Sequence, residues 1–160
     1  MVQNGTAIDE SDIKIIRCIQ RDATLSQREL AEQVGMSQNA CWRRLQKLKA
    51  SGILRGAHAD VDLSALGFDL TVFVMIKTRH HSAEWAERFR THVERLPQVT
   101  DFYRIGGEWD YLIKVRTQGM SGYDGFYRRL ISGFDLATVT GFFAMETITD
   151  NRPLDIYRNV

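Results

Sequence analysis

The chain has 160 residues, of which 44% are hydrophobic and 26% charged, and its formal net charge is +1. That is enough apolar material for one domain or two small ones, and no apolar run approaches the ~20 residues that cross a bilayer. The polar stretch Met1 to Asp9 lacks the apolar core of a signal peptide, so a cytoplasmic location is expected.

The first helix is predicted from about Glu10 to Arg21, with Asp9 as N-cap and Asp12 placing negative charge in the first turn. Ile13, Ile16 and Ile19 recur at helical spacing, and Ile15 and Cys18 widen the apolar face. The second helix has the sharpest start signal. Ser26 and Glu29 fit a capping box, flanked by Leu25 and Leu30 as a hydrophobic staple. Leu30, Ala31 and Val34 follow, and then Gly35 permits a left-handed turn and Ser37 can cap the next helix. Two helices joined by three or four residues with Gly in the turn form a helix-turn-helix pattern.

The third helix, Gln38 to about Ala50, opens a local charge excess that the net charge conceals. Between Ser37 and His58 stand Arg43, Arg44, Lys47, Lys49 and Arg55, with no Asp or Glu. Up to Met36 the chain carries four basic against six acidic residues, and from Ala59 onward twelve against fourteen. At 100° per residue, Cys41, Leu45 and Leu48 share the inward face, whereas Asn39, Arg43, Gln46, Lys47 and the flanking Trp42 point outward. Amide and guanidinium groups can read base edges, and Lys and Arg displace the counterions on phosphates. After Gly52, Ile53 to His58 is expected to form a short strand and turn with a basic tip, a candidate wing. The candidate DNA-contacting residues are Ser26, Gln27, Arg28, Ser37, Gln38, Asn39, Trp42, Arg43, Arg44, Gln46, Lys47, Arg55 and His58. A solvated charged face is the plain alternative. The turn chemistry, the lack of acids and the amide-bearing face together favour double-stranded DNA.

Residues 61–67 are expected to be a connector. Phe68 to Thr78 is then a strand with apolar residues on both faces, which implies that both faces are covered. A helix follows from Ala83 to about Leu96, stopped by Pro97. Val99 to Ile105 and Tyr111 to Val115 are strands around the Gly106-Gly107 turn, Ser121 to Ser132 is a helix, and Thr138 to Thr149 is a final strand. The expected fold is α+β: a winged helix-turn-helix over 1–60, then a ferredoxin-like βαββαβ domain over 68–150 and a tail over 151–160. A four-stranded sheet with both helices on one side leaves the other side bare, and a twofold homodimer is the simplest cover.

No nucleophile–base pair, paired carboxylate frame or cofactor loop is recognisable, so neither an enzyme nor a cofactor is expected. Cys18 and Cys41 match no metal or redox spacing and are read as core thiols, and His80 and His81 as exposed loop residues rather than metal ligands.

Several segments, in order and at matching separations, resemble the Lrp/AsnC family, the feast/famine regulators. They are Ile8-Asp9-Glu10-Ser11-Asp12, Leu25-Ser26-Gln27-Arg28-Glu29-Leu30-Ala31, Gly35-Met36-Ser37, Cys41-Trp42-Arg43-Arg44-Leu45, Gly52-Ile53-Leu54-Arg55-Gly56 and Gly107-Glu108-Trp109-Asp110-Tyr111-Leu112. The resemblance implies a transcription regulator that senses an amino acid or related molecule. It also implies dimers formed through the sheets, which often assemble to tetramers or octamers, with effector pockets between dimers. Carried over, it gives Ile105, Gly107 and Asp110 on the loop before the third strand, Met120 on the second effector-domain helix, and Phe142, Phe143 and Ala144 on the last strand. Glu108 stands where members usually have Asp, which lengthens a side chain in that loop. Asp110 is equally suited to hold an effector ammonium or to act as an Asx-type cap. His80 to Trp85 and Phe143 to Glu146 are similar to a subgroup that controls cysteine detoxification, which makes cysteine the first effector to consider. An architectural DNA-binding protein with little sequence preference is the alternative function.

Overall fold

The computed structural model describes residues 8–156. Most of the polar N-terminal stretch (1–7) and the end of the expected tail (157–160) lie outside the described residues. Three helices, α1 (Glu10–Arg21), α2 (Gln27–Val34) and α3 (Gln38–Ala50), precede β1 (Leu70–Thr78), α4 (Ala83–Glu94), β2 (Val99–Arg104), β3 (Tyr111–Thr117), α5 (Gly119–Ile131) and β4 (Leu136–Phe143). The chain forms two compact units. Of the described residues, 8–60 and 149–156 make the first, and 61–148 the second. No described helix is long and apolar enough to cross a membrane.

In the first unit, local chemistry sets each helix start. Asp9 and Asp12 form a capping box on α1, and Ser26 and Glu29 form one on α2. Gly35 closes α2 at φ 69°, a left-handed conformation that L-side chains avoid. The Ser37 hydroxyl then accepts the Ala40 N–H to start α3. Ile15, Leu30, Ala31, Cys41 and Leu48 are buried together between the helices. Burial pushes the Cys41 thiol pKa up. After β4 the chain returns to this unit, where Ile156 packs on the same core and Asp155 pairs with Arg17 at 3.0 Å.

The expected wing strand is absent. Gly52 (φ 73°) reverses the chain, Leu54 N–H donates back to Leu48 O, and the residues up to Asp60 run irregularly. An isolated strand leaves its N–H and C=O groups unpaired, and no described segment of this chain pairs with this one.

The second unit is the βαββαβ arrangement, with sheet order β2-β3-β1-β4 and every pairing antiparallel. Val72, Val74, Ile76, Ile113 and Val115 point to one face and are buried against Phe89 and Val93 of α4 and Phe126 and Leu130 of α5. Trp85, Phe102, Tyr111 and Phe134 surround Phe89 with ring centroids 5.0–6.0 Å from its own. The opposite face carries Phe73, Met75, Leu112, Tyr103 and Phe142, and Phe142 is 54% exposed. The second apolar face of β1 is thus left without a cover inside the second unit among the described residues. Strand β4 stops at Phe143, short of the expected Thr149, because β1 begins at Leu70 and offers no partner after the Ala144 N–H to Thr71 O bond.

Candidate nucleic-acid interface and effector region

Asn39, Arg43 and Lys47 lie at i, i+4 and i+8 of α3 and are exposed in one line, with half-buried Gln46 beside them. Ser37 and Gln38 begin this helix, and Ser37 is engaged as its cap. Ser26 is engaged in the same way on α2. Its hydroxyl accepts the Glu29 N–H at 3.3 Å while its own N–H donates to Glu29 Oε2 at 2.8 Å. The Ser26 hydroxyl first, and the Ser26 N–H second, hold the Glu29 carboxyl below its usual pKa. Arg28 is exposed and pairs with Glu32 at 2.9 Å. Gln27, Trp42, Lys49 and Arg55 border one recess of about 470 Å³ beside α3. His58 borders a second recess, which Ile13 and Ile16 of α1 also line.

Arg44 differs from its neighbours. Its Nη1 donates to Asp9 Oδ2 at 2.7 Å and to Asp12 Oδ1 at 2.9 Å. The Asp12 side chain is only 1% exposed. The bond from the Asp12 N–H, followed by that from Arg44, holds the Asp9 carboxyl below the ordinary carboxylate pKa. The pairing with Asp12 first, and Asp9 second, pushes the guanidinium pKa further up. Sequence reasoning assigned Asp9 to the N-cap and Asp12 to first-turn charge, and missed this link. The signal was present: Arg44 stands three residues after Cys41 and four before Leu48, within about 60° of both buried side chains.

The carried-over effector residues divide into two groups. Ile105, Gly107, Glu108 and Asp110 lie at the end of the sheet where β1 finishes. Asp110 Oδ2 accepts the Thr78 N–H at 2.8 Å, the Asp110 N–H donates to Ile76 O, and the Ile105 N–H donates to Asp110 O. Asp110 thus ties down the end of β1 by a bond spanning 32 positions, rather than by a local Asx-type cap. Gly107 has φ 113°, a backbone state that other residues rarely adopt. Phe142, Phe143 and Ala144 pair with the start of β1, Phe142 opposite Phe73 and Phe143 opposite Val72. Met120 is exposed at the start of α5, where the Gly119 N–H bonds to Asp69 just before β1. From Val72 to Thr78 is six residues, or about 20 Å at ~3.3 Å per residue. A small molecule cannot reach both groups within one chain. Phe142 and Phe143 also separate, since adjacent strand residues face opposite ways. Phe143 packs edge-on to Tyr123 of α5 at 5.2 Å, and Phe142 joins the bare face. Tyr123 itself lies tight on Gly141, where any Cβ would collide with its hydroxyl, and burial raises its pKa. Just beyond Thr78, at the end where β1 finishes, His80 contacts Asp135 at 3.3 Å and stacks on Trp85.

The fold and the site define a helix-turn-helix DNA-binding protein with a ferredoxin-like second unit. Residues 8–55 match the winged helix-turn-helix DNA-binding family, and residues 71–154 match the Lrp/AsnC ligand binding domain. The chain belongs to the Lrp/AsnC family of transcription regulators. It is 45% identical over 150 residues to the DNA-binding transcriptional activator DecR of Escherichia coli K12, which spans 93% of this chain and 99% of that protein. It is 40% identical to the glutamate uptake regulatory protein of Zymomonas mobilis, over 88% of this chain and 86% of that protein. Among solved structures, an AsnC family transcriptional regulator from Agrobacterium tumefaciens superposes with a TM-score of 0.88 at 41% identity, covering 92% of this chain and 96% of that one. A transcriptional regulator from Neisseria meningitidis, solved as an L-Met complex, has a TM-score of 0.85 at 28% identity, with 90% and 94% covered.

Proposed function

We propose that this regulator reads a specific duplex sequence through α3 and is controlled by an amino acid bound between dimers. One observation carries the DNA reading: Asn39, Arg43 and Lys47 form an exposed line on the second helix of a helix-turn-helix, with Gln46 alongside. Asn39, Arg43 and Gln46 would meet base edges in the major groove. Lys47, Lys49, Arg55 and Arg28 would meet phosphates, as would the N-terminal turns of α2 and α3 at Ser26, Gln27, Ser37 and Gln38. In a twofold dimer, two such helices enter successive major grooves about 34 Å apart or a multiple of that.

The bare sheet face, with Phe73, Met75, Leu112, Tyr103 and Phe142, supports dimerisation with a second copy. The ~20 Å separation of the Asp110 loop from the Phe143 end supports a composite effector site. In that site the loop of one chain is completed by another chain, and the effector selects among assemblies. A preference of about 1–3 kcal/mol is enough to redistribute them. The L-Met complex of the Neisseria regulator supports an amino-acid effector. The resemblance at His80 to Trp85 and Phe143 to Glu146 makes cysteine the first to try.

The test is duplex selection from a random pool by the full chain, followed by salt-titrated binding to selected and random DNA. A specific reader prefers the selected duplex by about 10³-fold or more. A steep salt dependence without preference contradicts sequence reading and favours the architectural role. Thermal-shift measurements with the twenty amino acids identify the effector, because a ligand of the native state raises its melting temperature. Failure of every amino acid to do so contradicts the amino-acid reading.

A further inference from the structure

Two adjacent arginines on α3 have opposite surroundings. Arg43 is exposed on the outward line, whereas the Arg44 guanidinium is shared between two carboxylates of α1. Those carboxylates also form the α1 capping box, in which the Asp9 N–H donates to Asp12 Oδ2 and the Asp12 N–H to Asp9 Oδ1. Each carboxylate therefore uses one oxygen for the helix start and the other for Arg44. Asp12 is fully buried, and a carboxylate in that setting requires a cationic or hydrogen-bonding partner. We propose that Arg44 is a positioning residue for DNA recognition: it fixes the rotation and depth of α3 against the first turn of α1, and it holds no phosphate itself.

Three features give this weight. The link joins residues 32 and 35 positions apart, so it constrains tertiary geometry rather than one helix. It lies one residue from Arg43, so a rolled or shifted α3 moves Arg43 and Lys47 directly. Ile15, Cys41 and Leu48 also pack between these helices, but apolar contacts carry no directional bond. The proposal rests on α3 being the recognition helix.

The test compares variants of the full chain on one selected duplex across a salt series. Arg44→Gln is expected to weaken binding at least tenfold with the slope of log affinity against log salt unchanged. Asp12→Asn removes negative charge, which by simple electrostatics tightens binding to DNA. As a positioning partner it is expected to weaken binding about tenfold, again at constant slope. Asp9→Asn keeps a good N-cap residue at a half-exposed site and so preserves the fold. It is expected to weaken binding about threefold, and it decides the matter if Asp12→Asn does not fold. The double variant Asp12→Asn with Arg44→Gln should lose no more than Arg44→Gln alone. A slope reduced by about one in Arg44→Gln, together with unchanged or tighter binding by the two aspartate variants, makes Arg44 a phosphate contact and overturns the proposal. A wild-type chain that ignores duplex DNA in dilute buffer overturns the recognition-helix reading, which separates the two failures.

Discussion

The two units show the same lesson with opposite chemistry. In the first, the neighbouring arginines Arg43 and Arg44 diverge because a helix turns 100° per residue. One faces solvent and the other meets Asp9 and Asp12. In the second, the neighbouring phenylalanines Phe142 and Phe143 diverge because a strand alternates. One joins the bare face and the other packs on Tyr123. Residue type is identical within each pair, so backbone phase decides the role. The units also differ in what holds them. The helical unit relies on two capping boxes and an ion network anchored on buried Asp12 over a small core, whereas the sheet unit relies on an aromatic cluster around Phe89.

That contrast can be broken by substitution. The largest effect is expected in the sheet unit, where Phe89→Ala empties the centre of the aromatic cluster. It should cost about 3–5 kcal/mol by denaturant unfolding of that unit. A loss below 1 kcal/mol would show that the cluster is not its main support. Next is Arg43→Ala, expected to lose about 1–3 kcal/mol of DNA affinity and to relax base preference. Equal weakening on every sequence would demote Arg43 to a phosphate contact. Ser26→Ala removes the α2 cap and should cost about 1 kcal/mol of stability, read as a lower melting temperature. An unchanged melting temperature would mean that the cap is redundant.

The smallest effect concerns acid. Asp9, Asp22 and Glu29, all in the helical unit, are held below their ordinary pKa values. The Asp12 N–H leads for Asp9, the Thr24 hydroxyl for Asp22 and the Ser26 hydroxyl for Glu29. A carboxylate with a depressed folded pKa stabilises the native state above its unfolded value of about 4, and that contribution is lost as pH falls through the folded value. The unfolding midpoint of the helical unit should therefore drop as pH falls below about 4. A midpoint that is flat through this range contradicts the capping account.

Much of this was legible in the sequence. The helix starts were readable because Asp9, Ser26 and Ser37 cap through bonds to residues three positions away, and such local chemistry shows in a linear text. The βαββαβ order was readable from periodicity and the Gly and Pro stops. Three features were not readable, each for a non-local reason. The wing strand failed for want of a partner among the described residues. Strand β4 ended early because its length is set by where β1 begins, 73 residues before Phe143. The split of the effector residues between two ends of the sheet follows from strand register, which no single segment specifies. The Arg44 link lies between these cases, since its phase was visible but its carboxylate partners were not.

The most direct test of the central claim is a structure of the full chain on a selected duplex. The account predicts α3 in the major groove, with Asn39, Arg43 and Gln46 within hydrogen-bonding distance of base edges and Arg44 still held by Asp9 and Asp12. A complex in which α3 faces away from the DNA, or in which Arg44 has left the aspartates to grip a phosphate, contradicts it.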